Sequence, residues 1–216
     1  MTFDPRLYLV TGPVPAKSFL HEVVVHALAG GVTAVQLRDK SADRDNLGRQ
    51  ARGLADIVRS FGAPFLINDD LVAAAMADGA HVGVGDARPQ QARAQLGPAA
   101  LIGWSINSLD QLDDGAALSA SDYVAVSPVW ATPSKSDTTA PLGLDGVRAV
   151  RDRTPAGIAV VAIGGINAGN AAEVIAAGAD GIAVISAICD ADDPHEAALE
   201  LREIVDRELS HRRDFR

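Results

Sequence analysis

A single cysteine, Cys189, rules out an intramolecular disulfide, and a lone thiol fits a reducing compartment. Aromatic residues make up only 4% of the 216 residues. The core must therefore be filled by Ala, Val, Ile, Leu and Gly, which suit parallel strands buried on both faces with helices packed closely against them. Long apolar runs are missing too. The longest strongly apolar stretch, near 157–166, is too short to span a bilayer. The opening Met-Thr-Phe-Asp-Pro lacks the basic region and apolar segment of a signal peptide. A soluble, cytoplasmic protein without a membrane partner is expected. Basic residues are in deficit: 19 Lys and Arg against 28 Asp and Glu leave a formal net charge of −9. That balance tells against a nucleic-acid partner but leaves room for a local basic pocket holding a small anion. No Gly-x-Gly-x-x-Gly follows the first apolar run, which weakens a dinucleotide-binding open sheet.

What is present is a rhythm. Hydrophobic residues make up 48% of the chain. Short apolar runs at 7–10, 34–37, 64–67, 81–84, 101–105, 123–126, 159–163 and 181–184 recur at the spacing of βα units. Helical stripes lie between them: Leu47, Ala51, Leu54, Val58 and Phe61, then Leu109, Leu112, Ala116 and Ala117, then Ala197, Leu201, Ile204 and Val205. Glycines close several of these segments, as at Gly30, Gly62, Gly79 and Gly178. Asn167 and Asn170 are candidate caps after the seventh run, with Asn170 and Glu173 at capping-box spacing. Ala27-Leu-Ala-Gly-Gly-Val, Met76-Ala-Asp-Gly-Ala and Ala176-Ala-Gly-Ala-Asp-Gly resemble one another, each at a helix-to-strand joint. Eight such units predict an α/β chain folded as a single TIM (β/α)₈ barrel over 1–216. Its oligomeric state, a homo-oligomer included, is left open.

In such a barrel the active site is built where strands end. The second strand runs into Gln36-Leu37-Arg38-Asp39-Lys40, where alternation points residues 36, 38 and 40 one way. A guanidinium fork and an ammonium there suit an anion, although a solvated charged turn reads the same. The third strand ends in Asn68-Asp69-Asp70 and the fourth leads to Asp86. Oxygen ligands from two loops suit Mg²⁺. Asp70 is the better helix cap, leaving Asp69 for the metal. The fifth strand ends at Ser105 and Asn107, the sixth at Thr132, Pro133, Ser134 and Lys135. Gly164-Gly165 and Ser186 follow the seventh and eighth, the usual phosphate site of this fold, although a tight turn would also demand glycine.

Together the segments VQLRDK, INDD, GAHVGVGD, IGWS, VSPVWATPSK and AIGGINAGNAAEVIAAGADGIAVIS resemble thiamin phosphate synthases, in order and in register over about 7–194. The resemblance implies an enzyme, a transferase, that joins a pyrimidine diphosphate to a thiazole phosphate with Mg²⁺ as cofactor. It implies that Gln36, Leu37, Arg38, Asp39, Lys40, Asn68, Ser105 and Lys135 bind the pyrimidine diphosphate. Arg38, Lys40, Ser105 and Lys135 would be catalytic. Asp69 and Asp86 would hold the metal. Thr132, Pro133, Ser134, Gly165, Ile185 and Ser186 would bind the thiazole phosphate. It also implies a dissociative reaction through a pyrimidine methyl cation that the thiazole nitrogen attacks. The sequence departs from the family pattern at Ser127, Ser134 and Val84, where glycine, threonine and glutamine are frequent; none of these removes a charged or metal-binding group.

Two other readings compete. A related thiazole tautomerase needs the thiazole pocket but not the diphosphate and metal set, and in that relative a histidine stands where this chain has Asn107. A non-catalytic phosphate-binding barrel is the other. Cys189 reads as a small buried hydrophobe, His21 and His26 as surface or packing residues of the first helix, and His81 as core before catalysis. The tail 208–216 reads as a solvated, mixed-charge helix end.

Overall fold

Strands buried on both faces, as these apolar runs predict, can satisfy their backbone only by pairing with one another, and a closed ring leaves no edge. The computed structural model, which describes residues 3–13, 19–132 and 140–214, has that arrangement. β1 (Leu7–Val10) leads to α1 (Leu20–Ala29), β2 (Ala34–Leu37) to α2 (Arg44–Ser60), and β3 (Phe65–Asn68) to α3 (Leu71–Ala74). β4 (Gly79–Val82) is followed by α4 (Pro89–Leu96), and β5 (Leu101–Ile106) by a 3₁₀ turn and α5 (Gly115–Ala120). β6 (Tyr123–Val126), α6 (Gly143–Arg153), β7 (Ala159–Ile163), α7 (Ala171–Ala176), β8 (Gly181–Val184), α8 (Ser186–Cys189) and α9 (Pro194–Asp214) complete the chain. All neighbouring strands are parallel, and β8 returns to β1 with Leu9 opposite Val184. Among the described residues no helix is long and apolar enough to cross a membrane.

Most strands lie where the apolar runs place them. β4 is the exception, starting at Gly79 rather than at residue 81. Gly79 has the joint-like look of a helix end but already pairs with Leu66 and Leu101. A Cβ there would lie 1.9 Å from the Leu101 carbonyl oxygen, so only glycine fits. The α2 stripe is buried at Leu47, Ala51, Leu54 and Val58, but Phe61 is exposed at the C-cap. The stripe at 109–117 is interrupted at Asp114, with Leu112, Ala117 and Leu118 buried and Ala116 exposed. Asn170 makes no side-chain cap for α7; it accepts from the Asn167 amide and donates to the Gly165 carbonyl, closing the β7–α7 turn. Cys189 is buried, and burial pushes its thiol up to about 11, as suits a packing residue.

Two apolar layers result. Leu9, Val35, Leu37, Phe65 and Ile67 point outward into the helix layer, while Tyr8, Val10, Ala34, Leu66, Tyr123, Ala125, Val161 and Ala183 fill the barrel. Small neighbours make room for the two tyrosines. A Cβ at Gly103 would sit 2.2 Å from the Tyr123 hydroxyl. Phe3 stacks on Tyr123 with centroids 4.6 Å apart, below β1.

The internal repeat has a structural meaning. At the strand starts, the amides of Leu7, Phe65, Ile102 and Val160 donate to Thr33 Oγ1, Asp78 Oδ2, Asp122 Oδ2 and Asp180 Oδ2, at 3.0, 2.9, 2.7 and 2.9 Å. Each acceptor stands immediately before the next strand, so each side chain clasps an odd-numbered strand to its even-numbered neighbour. Arginines neutralise the acids: Arg93 meets Asp122 at 2.7 Å, and Arg151 and Arg212 both meet Asp180 at 2.8 Å. Arg212 thus ties the tail of α9, expected to be a solvated end, to the barrel floor. Asp180→Ala would strand the Val160 amide and take the carboxylate from two guanidinium groups, leaving them only backbone carbonyls. It is expected to cost about 2 kcal/mol in urea denaturation, with kcat unchanged, because the clasps lie at the end of the barrel opposite the strand C-termini.

Candidate active site

The C-terminal ends of the strands surround a cavity of about 530 Å³, within the range usual for small-molecule sites. Val10, Ala125, Val161, Ile163 and Ala183 give it an apolar floor, and Gln36, Arg38, Lys40, Asn68, Asp69, Asp86, Ser105 and Asn107 give it polar walls. Seven residues expected in one site from the sequence, Gln36, Arg38, Lys40, Asn68, Asp69, Asp86 and Ser105, are thus brought together from β2, β3, β5 and the loop after β4. Leu37 and Asp39 do not face this space. Alternation turns Leu37 outward, where it is fully buried under the helices. Asp39 spends its carboxylate on the turn into α2, accepting from the Ser41 and Ala42 amides and from Gln50 Nε2. Gln50 and Ser41 hold it below the usual carboxylate range.

At the mouth, Asp70 caps α3 by accepting from the Val72 and Ala73 amides, as expected. Asp69 is thereby thrown into the left-handed region, at φ 62°, an uncommon conformation that concentrates at functional sites. Its carboxylate receives Lys40 Nζ at 2.8 Å. Asp86 adjoins Asp69 and receives the Gly83 amide at 2.9 Å. Burial, and then the adjoining Asp86 carboxylate, hold Asp69 above the usual carboxylate range, with Lys40 pulling the other way. Two converging carboxylates, one costly to ionise, form a donor set suited to a hard divalent cation.

A chain of buried polar groups crosses the barrel beneath this mouth. Gln36 Nε2 donates to Asn68 Oδ1 at 2.7 Å, and the Tyr8 hydroxyl donates to Gln36 Oε1 at 2.9 Å. The Tyr8 and Tyr123 hydroxyls are 3.0 Å apart. His81 Nδ1 lies 2.9 Å from the Tyr123 hydroxyl, and His81 Nε2 lies 2.8 Å from Ser105 Oγ. Tyr8 and His81 line the cavity, so His81 is more than core. The sequence offered one signal for this group: polar-tipped residues at inward positions of otherwise apolar strands. Asn107 Oδ1 is buried without a hydrogen-bond partner among the described residues.

A smaller hollow adjoins the cavity, lined by Thr132, Gly165, Ile185 and Ser186 together with Ser127 and Gly164. Gly164 and Gly165 have φ of 108° and 69°, and a Cβ on Gly164 would lie 2.6 Å from Pro128 Cβ. The turn itself therefore demands glycine, and the amides it exposes are a by-product. Pro133, Ser134 and Lys135 lie outside the described residues.

Because the fold resists ionising Asp69, that cost is absent below the ordinary value of 3.8 and fully present once the pH exceeds the raised one. Asp69→Asn is therefore expected to stabilise the protein near neutral pH without divalent cations. The gain should fade as the pH falls towards ~4. The exposed Lys40 partner adds little to offset it. Urea denaturation at both pH values checks this, and a variant less stable than the parent at neutral pH contradicts it.

The family model for thiamine monophosphate synthase matches residues 7–188. The thiamine-phosphate synthase of Albidiferax ferrireducens is 48% identical over 204 residues, covering 93% of this chain and 92% of that protein. The thiamine-phosphate synthase of Chloroflexus aurantiacus is 44% identical over 209 residues, covering 94% and 93%. Among solved structures, thiamine phosphate pyrophosphorylase from Pyrococcus furiosus superposes with a TM-score of 0.83 at 34% identity, covering 96% of this chain and 98% of that one. With the barrel and its polar mouth in place, these likenesses assign the chain to the thiamine monophosphate synthase family.

Proposed function

We propose that the protein is a thiamine-phosphate synthase that joins an aminopyrimidine diphosphate to a thiazole phosphate, releasing diphosphate, with Mg²⁺ held by Asp69 and Asp86. The observation that carries this reading is the convergence of Arg38, Lys40 and the Asp69–Asp86 pair at the mouth of one cavity whose floor is apolar. A tautomerase or a plain phosphate binder has no use for that charged set.

Each group has a task that its chemistry suits. Arg38 offers a planar fork to the diphosphate, and Lys40 offers a point charge once a ligand draws it from Asp69. A bound Mg²⁺ would neutralise charge on the leaving diphosphate. Gln36, Asn68 and Ser105 orient the pyrimidine deeper in the cavity. Val10, Ala125, Val161 and Ala183 keep water from the pyrimidine methyl cation, which water would otherwise trap. Thr132, Gly165, Ile185 and Ser186, with Pro133 and Ser134, hold the thiazole phosphate beside it. The thiazole nitrogen attacks through its own lone pair, so no general base is needed for that step.

The direct test is an assay with both substrates, following diphosphate release. Turnover is expected to need Mg²⁺ and to be lost in Asp86→Ala, whereas full activity in saturating chelator sinks the metal assignment. Lys135 meets charge that grows only as diphosphate leaves, so Lys135→Ala should lower kcat by about 10²-fold, with a smaller change in KM. A raised KM at unchanged kcat would make it a plain binding residue. Asn107 cannot serve as a base near neutral pH. The thiazole phosphate alone, incubated with enzyme in deuterated water, should therefore show no enzyme-dependent isomerisation or proton exchange; rapid exchange would favour the tautomerase.

A further inference from the structure

The hydrogen-bond chain across the barrel has a direction, and one end of it fixes the other. A phenol has one proton to give and a neutral imidazole has one donor nitrogen and one acceptor. Burial holds both Tyr8 and Tyr123 well above the ordinary phenol value, so both keep that proton. Gln36 turns its amide nitrogen to Asn68 Oδ1 and its carbonyl oxygen to Tyr8. Tyr8 therefore spends its proton on Gln36, and Tyr123 must donate across the 3.0 Å contact to Tyr8. With the Tyr123 proton spent, His81 must donate to it from Nδ1. His81 Nε2 is then an acceptor, and Ser105 Oγ must donate to it. Only lone pairs are left on Ser105 Oγ to face the cavity. Turning the Gln36 carboxamide over would reverse every link and make Ser105 a donor.

We propose that Tyr8, Tyr123 and His81 are positioning residues that present Ser105 Oγ to the cavity solely as a hydrogen-bond acceptor. The site thereby selects a ring bearing an N–H donor, the amino edge of an aminopyrimidine, over one bearing an acceptor in its place. The selection rests on the reading that the pyrimidine sits against Ser105; the direction of the chain does not.

Long-range nitrogen–proton correlation NMR of the whole protein, about two units above the ordinary imidazole pKa near 6.5, reads the His81 tautomer, with His81→Asn assigning the signal. The proton is expected on Nδ1. Tyr8→Phe touches neither His81 nor Ser105, yet it frees the Tyr123 proton for His81 and should move the imidazole proton to Nε2. Tyr123→Phe, which removes the acceptor outright, should do the same and guards against misfolding of either variant. In kinetics, Tyr8→Phe should raise KM for the aminopyrimidine diphosphate about 3- to 10-fold, the worth of one neutral hydrogen bond, with kcat less affected. It should also improve binding of an analogue carrying methoxy in place of amino. A wild-type proton on Nε2, or a tautomer unmoved by both variants, overturns the chain. The expected tautomers with an amino-over-methoxy preference that survives Ser105→Ala overturn the selection instead, because the ring then lies elsewhere.

Discussion

Beneath its mouth a closed parallel barrel offers its interior little access to water, so a polar group placed there must find partners among other side chains. The Tyr8 and Tyr123 hydroxyls, 3.0 Å apart at the barrel centre, are where that constraint is met. An unpaired buried hydroxyl costs roughly 1–3 kcal/mol. Each tyrosine escapes that cost by meeting the other and one further partner, Gln36 for Tyr8 and His81 for Tyr123. The small residues around them follow from the same need, since Gly103 gives way to the Tyr123 ring. The pair also divides the barrel vertically. Below it Phe3 stacks against Tyr123; above it the floor of the cavity begins.

How far the sequence revealed this depends on the range of the interaction. Local signals read well. Strand alternation correctly grouped Gln36, Arg38 and Lys40, and the contrast between Asp70 beside an apolar helix start and its neighbour Asp69 correctly divided cap from site. The same alternation turns the Leu37 side chain away from the cavity, so only its backbone is left to meet a ligand there. The Asp39 carboxylate serves the turn into α2, since an acid two residues before a serine can serve the backbone as readily as a ligand. β4 was misplaced because Gly79 in a helix-to-strand joint looks like a stop, and only its pairing with Leu101 shows it to be a strand. The polar chain was invisible for a different reason. Tyr8 and Tyr123 are 115 positions apart, and nothing local to either run says that their hydroxyls meet.

The barrel's two ends treat the same side chain in opposite ways. At the strand starts Asp122 and Asp180 each meet an amide and at least one arginine, so their charge is fully answered and they serve the fold. At the strand ends Asp69 and Asp86 adjoin, and among the described residues an exposed lysine, Lys40, pairs with Asp69 alone. No stability argument favours that second arrangement, and the left-handed backbone at Asp69 adds to its cost. A chain with more acid than base could have supplied another arginine there, as it does three times on the floor. Among the described residues only Lys40 and the Gly83 amide answer the two carboxylates at the mouth, which is the place where the proposed Mg²⁺ would sit.

The same asymmetry sets the lysine at the mouth apart from the arginines at the strand starts. Arg93, Arg151 and Arg212 are held by aspartates and by backbone carbonyls together, and drawing any of them away would expose several acceptors at once. Lys40 is held by Asp69 alone among the described contacts, with more than half its side chain exposed. An exposed single pair is worth about 1 kcal/mol or less, so a diphosphate can take the lysine at little cost. Its departure leaves two like charges adjoining, which raises the attraction of the same spot for a cation. On the proposed function, anion and cation binding would be coupled through one weak ion pair, and the coupling would need no movement of the barrel that carries it.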